Sequence, residues 1–342
     1  MNYSQYSSGM LSDSDIKKLI SQKEIVITNY DEKNLTPLGY NLTPTEFILS
    51  IKNQLLVKIH NEELEKYCYI EPNDTVLIMT REAIAVSKNI AGTFHAKVGM
   101  VSLGFGHIST TLDPLWRGPL LISLNNPTNK RLKFTLAKIK KVEGEKSEDI
   151  DYTYLHKSFI TLIFHKLTSP TLVAHDNKPG RFDQLTHVVQ KQVKPKGWRK
   201  LLFWKRQNQH FANLKDLIDT IGSIQYTQSN ININEDLNVE EFYKSHDNFS
   251  ELLKFYTDRA HATTSKIIYN KKYGLNILYT MLGIIGLILI GLLIYFAWTM
   301  GVKKDKPAVV AFFALLIPLV ATIIYPYFSK LIKLIIGRKE EI

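Results

Sequence analysis

The chain has 342 residues, enough for two ordinary domains or for one domain with accessory parts. Hydrophobic residues make up 45% and charged residues 22%, which excludes wholesale disorder. Lys and Arg number 43 against 32 Asp and Glu, a net charge of +11, and Cys68 is the only cysteine, which excludes an intramolecular disulfide and a Cys-rich zinc site. The charge is uneven, with 20 basic against 18 acidic side chains through Leu167 and 23 against 14 beyond it.

Met1–Met10 is polar with no apolar h-region, so no cleavable secretory signal is expected. Ser12 is a plausible N-cap, and Ile16, Leu19 and Ile20 form the apolar stripe of a short helix. Residues 11–167 then read as many short strands, among them Glu24–Ile27, Glu46–Ile51, Thr75–Thr80, Ala83–Val86, Leu120–Leu124 and Phe159–Phe164. Turn residues separate them at Glu71–Asp74, Asn125–Pro127 and Glu143-Gly144, a pattern that predicts an all-β barrel or sandwich. Val142–Lys157, rich in Glu, Lys and Asp, is expected to be a solvated loop.

Several motifs in this region, in order along the chain, resemble the dCTP deaminase family and the related dUTP pyrophosphatases. Met10-Leu11-Ser12-Asp13-Ser14-Asp15-Ile16 is similar to the family opening, and Thr36–Leu42 to its next signature. Ile70–Asp74 fits the turn before a long shared strand. Leu112-Asp113-Pro114-Leu115-Trp116-Arg117-Gly118 is the best match, and Phe159–Phe164 resembles the closing strand. The resemblance implies a distorted β-barrel, a homotrimer, and deoxynucleotide sites between subunits. It assigns nucleotide binding to Lys97, Gly99, Ser102, Asp113, Ser123, Tyr40 and Asn41; the structural alternatives are a required turn at Asp113-Pro114 and barrel packing for Tyr40 and Asn41.

Departures from the family pattern limit the chemistry. The triphosphate-binding Arg-Ser-Ser-Leu-Ala-Arg run of the deaminases is replaced by Lys97-Val98-Gly99-Met100-Val101-Ser102. The deaminases' catalytic glutamate falls on Ser123, and a hydroxyl without a base cannot shuttle protons near neutral pH. Asp113 survives and is the one catalytic candidate, as a base that activates water. The expectation is a nucleotide-binding sensor or membrane effector without deaminase activity, one version being an anti-phage effector. The alternative is a tethered nucleotide pyrophosphatase or deaminase that uses Asp113. No resident cofactor or metal is expected, apart from Mg2+ accompanying a bound triphosphate. The ten histidines show no zinc-deaminase or metalloprotease spacing.

Four regions are expected: a β-domain over residues 1–170, a basic amphipathic linker over 171–238, a juxtamembrane helix over 239–272, and a two-helix transmembrane hairpin with a basic tail over 273–342. In the linker, Trp198, Arg199, Lys200, Trp204, Lys205 and Arg206 suit an anionic membrane surface better than a nucleic acid. Phe242, Phe249, Leu252, Leu253, Phe255 and Tyr256 give the third region an apolar face, which could pack against copies of itself; His246 and His261 are expected at the surface. Leu275–Met300 and Pro307–Phe328 carry no charge, each long enough for a bilayer helix. Lysines flank both runs, so the positive-inside rule predicts a multi-pass protein of the inner membrane with both termini cytoplasmic.

Overall fold

The computed structural model describes residues 8–107, 110–143, 150–173 and 237–296, together with isolated positions between and beyond them. By its contacts the chain divides into two units, Met1–Thr264 and Ser265–Ile342.

The first half of the β-domain holds β1 (Gly9–Met10), α1 (Asp13–Ser21), β2 (Ile25–Ile27), β3 (Leu35–Thr36), β4 (Gly39–Leu42), β5 (Pro44–Ser50), β6 (Leu55–Leu56), β7 (Ile59–Asn61) and β8 (Glu65–Ile70). The second half holds β9 (Asp74–Val86), β10 (Ile90–Ala96), α2 (Val98–Ser102), β11 (Gly106–His107), β12 (Thr111–Leu112), β13 (Arg117–Asn126), β14 (Leu132–Glu143), β15 (Ile150–His156) and β16 (Ile160–Lys166). A long helix, α3 (Val239–Phe296), follows. The expected β-rich domain is present, and its strands form three antiparallel sheets. One runs β12-β10-β16-β4-β3 with β1 on β16, the second β11-β13-β9-β5-β6 with β2 on β9, and the third β15-β14-β8-β7.

Local signals account for many of these boundaries. Ser12 caps α1 in a capping box, its Oγ accepting from the Asp15 N–H at 3.3 Å while Asp15 Oδ2 accepts from the Ser12 N–H at 3.1 Å. Ile16 and Leu19 are the buried side of that helix. Alternation along the strands sends Ile78 and Ile122 of the second sheet into one core with Phe94, Leu162 and Phe164 of the first and Phe134 of the third. Gly39 is required by close approach, since a Cβ there would lie 2.4 Å from the Leu162 carbonyl oxygen.

Two strand expectations change. Thr75–Thr80 and Ala83–Val86 are a single strand, β9, carried through Arg81-Glu82. Val142–Lys157 is not simply a solvated loop: β14 and β15 pair from Ala137↔His156 to Glu143↔Ile150. Tyr152, Tyr154 and Ile150 supply the β-forming side chains there, which the surrounding charge obscured.

The second sheet is buried on both faces. Its outer face, with Val26, Phe47, Leu49, Met79, Ala83 and Ala85, is covered by Phe242, Phe249, Leu253 and Ala260 of α3. This is why β9 reads Val76-Leu77-Ile78-Met79, an unbroken apolar run rather than an alternating one. Each large apolar side chain so buried stabilises the packing by about 1.5–3 kcal/mol. Phe242, Phe249 and Leu253 of the α3 face are therefore used against the chain's own β-domain, while Leu252 and Phe255 stay exposed.

The expected C-terminal transmembrane hairpin, and the fold class that included it, are corrected. Residues 275–296 are not a separate span; they are the last part of α3, a helix 58 residues long that begins with Glu240 and Glu241 and whose first part packs on protein. Among the described residues, no helix is long and apolar enough to cross a membrane. The expected inner-membrane, multi-pass location with cytoplasmic termini and the lipid bilayer as partner fall with it. All but isolated positions of 307–328, and all of Trp198, Arg199, Lys200, Trp204, Lys205 and Arg206, lie outside the described residues.

Candidate functional site

Lys97 is the N-cap residue of α2, which carries Gly99 and Ser102 as well. Gly99 and Ser102 are exposed, and a Cβ on Gly99 would meet nothing within 4 Å. Lys97 Nζ donates to Ser158 Oγ at 2.7 Å. Partial burial, with Lys157 nearby, pulls its ammonium below the usual lysine value.

Asn41 stands at the same end of the first sheet. Its Oδ1 accepts from Thr161 Oγ1 at 2.7 Å, and Thr161 is paired in turn with His95, two residues before Lys97.

Asp113 stands at the other end. In the β10–β12 register Gly92 faces Leu112 and Thr93 faces Thr111, so Asp113 continues toward Ala91 while Lys97 leaves the opposite end of β10. Six residues of extended chain separate those ends, roughly 20 Å. The Asp113 carboxylate is partly exposed, and its Oδ1 accepts from Thr111 Oγ1 at 3.4 Å. A half-exposed carboxylate can take a sugar hydroxyl or a water proton.

Ser123 lies on the second sheet, opposite Leu77 and partly exposed. Tyr40 is fully buried. Its ring stacks on Tyr30 at 5.5 Å, its hydroxyl accepts from the Asp31 N–H at 2.9 Å, and burial pushes its pKa up to about 12. Its ring is thus spent on packing. The residues assigned by resemblance do not converge on one pocket within this chain. They form a cationic end (Lys97, Gly99, Ser102, Asn41), an acidic end (Asp113), and a position on another sheet (Ser123).

Three polar features were missed in the sequence. Thr93 Oγ1 lies 2.9 Å from His95 Nε2 and 3.0 Å from His165 Nε2, so one hydroxyl joins two imidazoles between the ends of the first sheet. The Thr-x-His spacing on a strand was the available signal. Glu82, 1% exposed, is held by Thr43, and burial pushes its pKa up to about 7. A carboxylate between the apolar runs Val76–Met79 and Ala83–Val86 was the signal there. His246, expected at the surface, is 3% exposed. Its place in the stripe Phe242-His246-Phe249-Leu253 was the signal there.

Among the described residues, no group of three or more His, Cys, Asp or Glu could hold a metal ion. Mg2+ is commonly held by one or two carboxylates together with substrate phosphates, and Asp113 is the carboxylate the resemblance offers to such an ion.

Comparison with known proteins bears on this arrangement. A family model described as dCTP deaminase-like matches residues 10–137. A "dCTP deaminase, dUMP-forming" of Nanoarchaeum equitans is 29% identical over 152 residues, covering 36% of this chain and 77% of that protein. Its namesake in Methanopyrus kandleri is 24% identical over 196 residues, covering 51% and 90%. A "Probable deoxyuridine 5'-triphosphate nucleotidohydrolase" of Sulfolobus islandicus rod-shaped virus 1 is 30% identical over 115 residues, covering 34% and 70%.

Proposed function

The chain belongs to the dCTP deaminase-like family, and we propose that its β-domain binds a deoxynucleotide without deaminating it, as a sensor of the nucleotide pool. The observation that carries this reading is Ser123, which by the motif resemblance falls where the family has its catalytic glutamate. Deamination needs a group that passes protons between water and a ring nitrogen, and an alcohol does not do so near neutral pH. Asp113 keeps a partly exposed carboxylate for the sugar. Defence against phage is one setting in which binding without turnover has a use.

The separation of Lys97 from Asp113 along β10 supports a site completed between copies of the chain, and a homotrimer is the assembly we propose. Lys97 and the α2 backbone of one copy would then face a nucleotide whose sugar rests on Asp113 of another. Light scattering of the full chain checks this, and a monomer at nucleotide-saturating concentration would rule it out.

Calorimetry with dCTP and dUTP in the presence of Mg2+, run beside a turnover assay, tests the main reading. Binding without conversion of dCTP to dUTP is expected, and Asp113→Asn should weaken binding. Robust deamination that disappears in Ser123→Ala would refute the loss of catalysis.

A second reading is favoured by the viral relative, whose name is that of a nucleotidohydrolase. Here Asp113 activates water against a nucleoside triphosphate. Pyrophosphate release that is lost in Asp113→Asn would select this reading over the first.

A further inference from the structure

The first part of α3 is fastened to the second sheet by apolar contacts, by Tyr243 Oη donating to the Ile27 carbonyl at 3.3 Å, by His261 Nε2 lying 3.2 Å from the Glu46 carbonyl, and by the buried imidazole of His246. Asn238 begins the helix, its Oδ1 accepting from the Glu241 N–H at 3.2 Å. Phe242, Phe249, Leu253 and Ala260 are each at most 5% exposed against the outer face of the sheet. His246 lies in the same stripe. Its Nε2 is 3.2 Å from Asn29 Nδ2 and 3.3 Å from Ser250 Oγ.

The orientation of the Asn29 amide fixes the state of that ring. Asn29 Nδ2 also donates to the Arg81 carbonyl at 3.0 Å, so the amide must present its NH2 end at this point. A flipped amide would set its oxygen against the Arg81 oxygen. His246 Nε2 therefore faces a donor and has to be the accepting, unprotonated nitrogen. In that tautomer the ring's hydrogen is on Nδ1, and the Arg81 main chain is a further polar partner of the imidazole. Protonation would set Nε2–H against the Asn29 donor, with the Ser250 hydroxyl as the acceptor at hand, at a site with almost no access to water.

We infer that His246 is an acid-release latch: protonation of its ring detaches the 239–260 part of α3 from the β-domain and uncovers the apolar sheet face of Phe47, Leu49 and Met79. Burial first, and the Arg81 charge in addition, hold the imidazole down to about 4, while Asp247 on the helix and the Arg81 main chain act the other way. Arg81 on β9 and Asp247 on α3 are the charged groups facing the ring. The sign follows from linkage. The docked ring binds a proton less readily than the released one, so docking is strongest above about 6.5 and weakens as pH falls toward about 4.

Hydrogen exchange of the full chain, corrected for intrinsic rates and followed by mass spectrometry, tests the latch. Peptides covering 242–260 should open about 30-fold more readily at pH 5 than at pH 7.5, on the linkage between those two pKa values, while peptides of β9 keep their protection. His246→Gln, which keeps an acceptor but cannot titrate, should remove the dependence. Asn29→Asp replaces the opposing donor by a carboxylate, so the helix should be better protected at pH 5 than at pH 7.5. The latch is overturned if His246→Gln keeps the full pH response. It is equally overturned if helix and β9 peptides lose protection together, which would be global unfolding, or if Asn29→Asp responds like the unaltered chain.

Discussion

Thr43 Oγ1 donates to Glu82 Oε1 at 2.6 Å, and the Thr43 N–H donates to Oε2 at 2.9 Å, closing a carboxyl group inside the barrel wall. The pair sits where β9 slips register against both neighbours, between Pro44 and Ile48 on one side and between Pro119 and Leu121 on the other. Thr80 bridges the irregularity, donating to the Glu82 carbonyl at 2.7 Å and accepting from the Leu120 N–H at 3.0 Å. Burial outweighs the Thr43 bonds and raises the carboxyl pKa from 4.5 to about 7. The native state thus holds this proton more tightly than the unfolded chain. The contribution to stability is whole below pH 4.5 and declines as pH rises to about 7. Glu82→Gln, neutral at every pH, should equal the unaltered chain at pH 4.5 and exceed it at pH 8. Urea denaturation at both pH values checks this, and an equal loss at both would show that the charge state is irrelevant.

Asn126 makes a second internal staple. It is completely buried, and its Nδ2 donates to the carbonyls of Ile70 at 3.0 Å, Glu71 at 3.1 Å and Lys130 at 2.7 Å. Its Oδ1 accepts from the N–H and the hydroxyl of Thr128. One amide therefore ties the turn before β9 to the turn after β13. Asn126→Ala removes the side-chain donor from the buried Ile70 contact, at a cost of about 1–3 kcal/mol, while the Lys130 carbonyl keeps the Thr128 hydroxyl. A thermal midpoint lowered by less than a few degrees would mean that water replaces the amide.

Docking of α3 should depend most on its aromatic anchors. Phe249 is 2% exposed, and Phe249→Ala should weaken the contact by about 3–5 kcal/mol. The variant is expected to release the helix while the barrel stays folded, giving new proteolytic cleavage within 239–264 and leaving β9 intact. Unchanged cleavage kinetics would place the anchoring elsewhere.

Much of the β-domain was legible because its signals are local. The Ser12 cap, the alternating strands and the turn at Glu71–Asp74 each follow from neighbouring residues, and all appear in the structure. What escaped depends on partners far along the chain. His246 meets Asn29 across 217 residues, and a helical stripe does not by itself show whether its histidine faces water or a sheet. The charged stretch after Val142 disguised a hairpin because pairing, not composition, makes the strand. The apolar run from Leu275 suggested a bilayer span when read apart from the amphipathic helix it continues. At the candidate site, each residue was assignable by motif. Their division between the two ends of β10 follows only from register.

That division makes a prediction about Ser123. On the proposed reading, Ser123→Glu supplies the acid that the deaminase resemblance calls for, at a partly exposed position on β13. It does not restore the grip on a triphosphate, because Lys97–Ser102 lacks the two serines and the final arginine of the deaminase run. Phosphate recognition needs several converging donors and fixed positive charge. Ser123→Glu alone should therefore form no dUTP from dCTP, and the half-buried charge should cost on the order of 1 kcal/mol in stability. Adding Val98→Ser, Gly99→Ser and Ser102→Arg is the change expected to tighten triphosphate binding first and to permit turnover second. Chromatographic detection of dUTP with the single variant would show that Lys97 and the α2 backbone already hold the substrate. The chain would then be one substitution away from an enzyme rather than a binding protein that has lost both halves of the chemistry.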